Sequence, residues 1–256
     1  MKTTIERSFN RASLTYDDYA DVQLEAARRL KSKLTGRSCE RIFEIGCGTG
    51  CYTEMLLEVF KDAIIEAIDI SPVMIAEARK KFFQNDRLNF SVADGEDLPF
   101  FIKGPFDLIT ANSALHWFQD MEAAFRIFKG LLSSKGTIVF SIFGPLTLRE
   151  LACILSESFG YDIALPAMSF PDYQKIKDLL LSIFKRVYMD ELLICREYDN
   201  LFSLFRSLKG TGVSLSIQPT HPLRLTPARI YRMDHLYRRC FGAVRASYQV
   251  FLCEAN

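Results

Sequence analysis

The stretch Arg41-Ile-Phe-Glu-Ile-Gly-Cys-Gly-Thr-Gly50 decides how this chain is read. Ile42, Phe43 and Ile45 form an apolar run that carries Glu44, and the run breaks into three glycines spaced G-x-G-x-G. A helical pattern follows at once in Tyr52, Met55, Leu56, Val59 and Phe60. Strand, glycine turn, helix is the order by which α/β proteins open a nucleotide-sized crevice. Gly46 and Gly48 allow positive φ and present no Cβ, so a ligand can lie against the backbone. The helix entered near Cys51 points free N–H groups at that ligand and favours an anionic group. A glycine turn also merely starts many helices, so a nucleotide reading requires a partner residue downstream.

Ile64-Ile-Glu-Ala-Ile-Asp69 supplies one, as a buried strand ending in an acid. Asp69 lies about 20 residues past the turn, where a carboxylate can accept both hydroxyls of a ribose. A dinucleotide site would also want glycine at position 51, which is Cys. The spacing Glu44-x-Gly46-x-Gly48-x-Gly50 instead resembles the first motif of class I S-adenosylmethionine-dependent methyltransferases, and Asp69-Ile-Ser-Pro-Val-Met74 resembles their second-strand motif. The resemblance implies S-adenosylmethionine as cofactor, held by Glu44, Gly46, Gly48, Gly50, Asp69, Ile70 and Met74. Ser71 suits an N-cap and Pro72 a first helical turn.

Composition bounds the rest. The chain has 256 residues, 49% hydrophobic with 21 Phe, enough for one large α/β domain with a sizeable core. A net charge of +1 gives no global field for nucleic acid. No apolar run approaches a membrane span and no secretory signal is readable. Seven cysteines without a C-x-x-C read as reduced thiols in a cytoplasm. The expected particle is a cytoplasmic monomer with no metal site.

Residues 1–35 read as helical, with Val22, Leu24, Ala26, Ala27, Leu30 and Leu34 at helical spacing. Tyr16 and Tyr19 either pack a helix face on the sheet or form a lid over a ligand, Tyr16 being favoured. Leu88 to Ala93 alternates as a strand and ends in Asp94-Gly95-Glu96-Asp97. An acid there is either a solvated loop residue or, in line with Glu44 and Asp69, an acceptor for an adenine amino group. Phe106 to Ala111 forms a fourth strand running into Asn112-Ser113-Ala-Leu-His116-Trp117. Ala123 to Leu132 is helical, Ser133 to Gly136 stops it, and Thr137 to Phe143 is a fifth strand. Five strands, each joined by a helical stretch, imply a parallel sheet. Two further strands near 186–197 and 245–253 belong at one sheet edge, with helices between them as a cap.

The expected fold is therefore α/β: a doubly wound, seven-stranded, mostly parallel, Rossmann-like sheet. It divides into a helical lid over 1–35, a cofactor-binding core over 36–145, and the remaining sheet edge with a substrate cap over 146–256.

Three stretches narrow the resemblance: Phe9-Asn-Arg-Ala…Tyr16-Asp…Ala20…Gln23, Phe143-Gly-Pro-Leu-Thr-Leu-Arg-Glu-Leu151, and Ser207-Leu-Lys-Gly-Thr-Gly212. Together they resemble the malonyl-acyl-carrier-protein O-methyltransferases of biotin synthesis over nearly the whole chain, while Ser214-Leu-Ser-Ile-Gln-Pro219 departs from the pattern. The resemblance implies methyl transfer from S-adenosylmethionine to the free carboxylate of a malonyl thioester on acyl carrier protein or coenzyme A. It adds Tyr16, Gln23, Asp94, Gly95, Glu96, Asn112 and Ser113 as cofactor contacts, with the last two beside the methionine end. His116 and Trp117 then either wall the reacting face or simply pack. Tyr16, His116 and Lys209 are the candidate catalytic residues, and Trp117, Arg149, Arg206 and Lys209 the candidate substrate contacts. A basic set around Arg224, Arg229, Arg232, Arg238, Arg239 and Arg245 is either a solvated cap surface or a docking face for an acidic carrier. The rivals are a methyltransferase for another small acid of the aconitate type and a non-catalytic fold that binds the cofactor.

Overall fold

Strand β1 (Arg41–Ile45) sits inside a sheet because both of its faces are apolar: Ile42 belongs to one hydrophobic layer and Phe43 to the other. The computed structural model describes residues 2–213 and 225–256; Ser214-Leu-Ser-Ile-Gln-Pro219 and Arg224 lie outside them. Parallel to β1 on one side runs β2 (Ile64–Asp69), followed by β3 (Leu88–Val92). On its other side run β4 (Phe106–Asn112) and β5 (Leu132–Phe143), also parallel. The late strands β6 (Val187–Tyr198) and β7 (Val244–Ala255) complete a seven-stranded sheet of order β3-β2-β1-β4-β5-β7-β6. β7 is antiparallel to both of its neighbours. Strand order reverses between β1 and β4, so a crevice opens beyond their carboxyl ends.

Ten α-helices among the described residues cover the two faces: α1 (Lys2–Ala12), α2 (Tyr16–Tyr19), α3 (Asp21–Leu34), α4 (Cys51–Val59), α5 (Pro72–Lys81), α6 (Met121–Leu131), α7 (Arg149–Phe159), α8 (Tyr173–Ile183), α9 (Leu201–Gly210) and α10 (Pro227–Phe241). Leu30, Leu56, Ile75, Leu151, Leu204 and Tyr237 carry α3, α4, α5, α7, α9 and α10 into one core layer. Phe125 and Phe128 of α6 and Ile176 and Leu180 of α8 fill the other, against Phe106, Phe140 and Phe251. Among the described residues no helix is long and apolar enough to cross a membrane.

The sheet, its seven strands and its mostly parallel direction match the sequence expectation. Three details differ. Residues 93–105, between β3 and β4, hold no helix, so one of the four joins among the first five strands is a loop. Strand β5 begins at Leu132, which pairs with Phe106, and Ser133 to Gly136 bulge out before the ladder resumes at Leu108 and Thr137. Helix α6 begins at Met121, because the Asp120 carboxylate accepts the Ala123 N–H at 2.9 Å.

Candidate active site

The end of β1 turns sharply at Gly46, whose φ is +70°. A Cβ there would lie 2.4 Å from Ala114 Cβ, so the first glycine lets the turn touch the loop after β4. Gly48 has a φ of +55°, and a Cβ on it meets no atom within 4 Å. Gly48 N donates to Asp69 Oδ2 at 2.9 Å and Ser71 N to Asp69 Oδ1 at 2.8 Å. These bonds fix the carboxylate across the mouth of the turn. Burial nevertheless pushes the Asp69 carboxyl upward, against the downward pull of both donors.

A cavity of about 760 Å³ opens here, and most of the expected cofactor residues line it: Tyr16, Gly46, Gly48, Asp69, Ile70, Met74, Asp94, Gly95, Glu96, Asn112 and Ser113, together with Trp117. A Cβ on Gly95 would come 2.7 Å from the Phe118 ring, so glycine keeps this wall flat. Helix α1 roofs the cavity with Lys2, Ile5 and Phe9. Lys2 Nζ stands 2.5 Å from Asp94 Oδ2 and 2.9 Å from Glu96 Oε2. The other Glu96 oxygen accepts the Gln119 and Asp120 N–H groups at 2.8 and 2.7 Å. Phe9 meets Trp117 edge-on with centroids 6.3 Å apart.

Three expected contacts stand behind this wall. Glu44 is only 1% exposed and accepts Thr53 Oγ1 at 2.7 Å. Burial, then the nearby Asp69 charge, push its carboxyl up to about 8, against the Thr53 bond. Gly50 (φ +87°) starts α4, and a Cβ there would strike the Phe82 ring at 2.5 Å; that close contact explains the glycine. The Gln23 carbonyl accepts Asn112 Nδ2 at 3.0 Å, tying α3 to the end of β4.

A second chamber, also about 760 Å³, shares Phe9, Tyr16, Ser113 and Trp117 with the first. Its apolar walls include Phe143, Leu148, Leu165, Phe170 and Leu208, and its hydroxyls come from Tyr16, Tyr19, Thr147, Ser207, Thr211 and Tyr248. Asp21 is the one charged residue on its wall among the described residues, and no Lys or Arg lines it. His116 lines it at 8% exposure, its ring centroid 4.6 Å from Phe170, 4.9 Å from Trp117 and 5.0 Å from Phe143. Burial lowers its pKa to about 3, so the ring is neutral, and Nδ1 has no partner among the described residues. Burial, helped by the Asp69 charge, holds the Tyr16 hydroxyl firmly protonated.

The three expected basic contacts are elsewhere. Arg149 is half-exposed at the start of α7, with Nε 3.4 Å from Glu150 Oε1. Arg206 and Lys209 line a separate outer cleft. Helical spacing explains this: Ser207, Leu208 and Thr211 take the chamber face of α9, which turns Arg206 and Lys209 onto the next face. The basic set near the C-terminus is also partly committed locally. Arg229 lies 4.3 Å over the Phe159 ring and Arg238 Nε is 2.8 Å from Asp234 Oδ2. Sequence reasoning missed the roofing role of Lys2 and Ile5 and the walls from Leu165 to Phe170. An amphipathic α1 was visible, but not the strand end it would cover.

The family described as methyltransferase domain matches residues 43–140. The malonyl-[acyl-carrier protein] O-methyltransferase of Paenibacillus sp. is 32% identical over 231 residues, covering 84% of this chain and 83% of its own length. That of Bacillus cytotoxicus is 30% identical over 258 residues, covering 96% and 89%. Among solved structures, YcgJ from Bacillus subtilis superposes with a TM-score of 0.61 at 14% identity, covering 90% of this chain and 97% of its own, which speaks to fold alone.

Proposed function

The chain belongs to the malonyl-[acyl-carrier protein] O-methyltransferase family, and from that premise we propose that it methylates the free carboxylate of a malonyl thioester on acyl carrier protein, using S-adenosylmethionine. The product is the methyl ester that enters pimeloyl synthesis for biotin. The observation that carries this reading is the meeting of two chambers at Phe9, Tyr16, Ser113 and Trp117, one with fixed carboxylates and one without a cation on its described wall.

The first chamber fits the cofactor by its donor set. Asp69, anchored by two backbone N–H groups, offers its remaining lone pairs to ribose hydroxyls. Asp94 and the flat wall at Gly95 and Phe118 suit an adenine amino group and its ring. Asn112, Ser113 and Tyr16 stand where the methionine end would be held. A crevice with Asp69, Asp94 and Glu96 on its wall also favours a cationic sulfonium. When bound, S-adenosylmethionine supplies an activated methyl group. Helices α1 to α3 act as its lid, Glu44 and Gly50 shape the site from behind, and Gln23 lines the second chamber.

The second chamber receives the acceptor. A carboxylate with a pKa of about 4 is ionised at neutral pH and needs no general base. The chain must orient it and keep out water. Tyr16 and neutral His116 can donate to one carboxylate oxygen without the full charge pairing that Arg or Lys would impose, leaving the other oxygen nucleophilic. Trp117, Phe143 and Phe170 exclude water around them. Arg149 has no part in this chamber. The proposed setting is a cytoplasmic monomer.

Incubation with S-adenosylmethionine and malonyl-loaded carrier, followed by intact mass, is expected to show a methyl ester on the carrier. Turnover of a free aconitate-type acid with none of the thioester would overturn the reading.

A further inference from the structure

The outer cleft next to the acceptor chamber has a composition that the methyl transfer itself does not explain. It is an open cleft of about 870 Å³, and Arg11 of α1 joins Arg206 and Lys209 of α9 on its wall with Ser8 and Thr15. No carboxylate lines it, and among the described residues none of the three cations has an ion-pair partner. In sequence, residues 214–224 contain no Asp or Glu. Three cations gathered without an acid repel each other unless an anion joins them. Two guanidinium forks and an ammonium, with hydroxyls beside them, suit a phosphate better than a lone carboxylate.

Position narrows the anion further. The cleft shares Tyr19 and Val213 with the acceptor chamber, and α9 separates the two. An anion here is therefore about one helix diameter, 10–12 Å, from the chamber. A pantetheine arm has thirteen bonds between its sulfur and its phosphorus, and reaches about 15 Å when extended. A malonyl group in the chamber would thus put the arm's phosphate within range of this cleft. We propose that Arg11, Arg206 and Lys209 bind the phosphate at the end of a phosphopantetheine arm, an assignment that rests on the thioester reading above.

Arg11, Ser8, Thr15 and Tyr19 come from α1 to α2 and their joining turn, and Arg206 and Lys209 from α9. These parts already touch: Thr15 Oγ1 donates to the Gly210 carbonyl at 3.3 Å, and a Cβ on Gly210 would lie 2.2 Å from the Tyr19 ring. A phosphate shared between α1 and α9 fastens the lid to the cap, so substrate binding closes the cofactor chamber from the far side.

The test is calorimetric titration of the full chain, loaded with S-adenosylhomocysteine, using 4′-phosphopantetheine, dephosphorylated pantetheine, coenzyme A and carrier protein with and without its arm. The expected result is at least about tenfold tighter binding of phosphopantetheine than of pantetheine, as for a charge-assisted contact. The double variant Arg206→Gln/Lys209→Gln should lose that preference, and Arg206→Lys/Lys209→Arg should keep most of it. Coenzyme A binding as well as phosphopantetheine would support a site that takes the phosphate from either source; weaker coenzyme A with tight armed carrier would assign it to the carrier. Equal binding of phosphopantetheine and pantetheine, or a preference that survives the Gln double variant, would overturn the proposal. So would carrier without its arm binding as tightly as armed carrier, since the cleft would then read the carrier's own acidic surface. A phosphate preference together with no methyl ester from malonyl carrier would sink the thioester reading and leave this site standing.

Discussion

Lys2 Nζ lies 2.5 Å from Asp94 Oδ2, joining the first turn of the first helix to the residue beyond the end of β3. The same ammonium reaches Glu96 at 2.9 Å, so two acids of the cofactor chamber hold the roof down. Both partners are partly exposed, which limits the pair to about 1 kcal/mol or less. Lys2→Met should therefore release S-adenosylhomocysteine about two- to fivefold faster at low salt. Stopped-flow release would show it, and the gap between variant and wild type should shrink in high salt. Identical rates at low salt would mean that Lys2 does not fasten the lid.

Asp69 offers a different handle, because its oxygens are already ordered by Gly48 and Ser71. Asparagine keeps one acceptor and turns an NH₂ group toward a backbone donor. Asp69→Asn should weaken cofactor binding about ten- to hundredfold, the loss of a charged acceptor. Glu44→Gln should weaken it far less, since Glu44 does not line the chamber. Titration of both variants with S-adenosylhomocysteine compares them, and equal losses would contradict the geometry.

Glu44 instead shapes the stability profile. Its carboxyl titrates near 4.5 when unfolded and at about 8 when folded. Between those values the unfolded chain has lost the proton that the folded chain keeps. Its contribution to stability is therefore present below about pH 4.5 and is lost as pH rises through 8. Glu44→Gln removes this slope, so the difference in Tm between variant and wild type should grow from pH 5 to 8. Parallel Tm curves over that range would show that burial does not hold the proton.

His116 acts in the opposite direction. Its pKa falls from 6.5 to about 3 on folding, because burial disfavours the cation. The unfolded chain takes up a proton below 6.5 that the folded chain refuses, so stability drops as pH falls through this window. His116→Phe keeps the ring packing against Phe170 and removes both the slope and the Nδ1 donor. We expect a flatter acid limb in thermal melts, and a rise of about tenfold in KM for the malonyl thioester. An unchanged KM would place His116 outside acceptor binding.

Gly210 ends α9, where alanine is ordinarily favoured by about 1 kcal/mol. Here a Cβ would sit 2.2 Å from the Tyr19 ring. Gly210→Ala should leave the global Tm near that of wild type, yet displace Tyr19 and loosen α2 from α9. Limited proteolysis should then cut the first 35 residues faster. A resistant N-terminus would mean that the tyrosine accommodates the methyl without moving.

The sequence by itself was enough to point to most of the wall of the first chamber. Glycine spacing, an acid closing β2 and another two residues beyond β3 are all local, since each sits at or just past the end of its own strand and strand periodicity tells where the strand ends. Asp69 and Asp94 were read that way, Asn112 and Ser113 through the family resemblance, and all four line one chamber. Local pattern could not show that Glu44 faces Thr53, or that Gly50 is small because of Phe82. Residues on one strand look alike in sequence whichever layer they enter.

Of the acceptor half, only Tyr16, His116 and Trp117 were legible in the sequence, and tertiary structure decided the rest. Its walls come from α2, α3, the turn at Thr147 and Leu148 before α7, α9, β7 and the loop over 165–170, segments separated by up to about 230 positions in the chain. Lys209 and Arg206 carry the right charge for a carboxylate, and only the rotation of α9 against Tyr19 turns them into a different cleft. Charge is written in the residue, but what it faces is fixed by packing, and packing depends on partners that no local window contains.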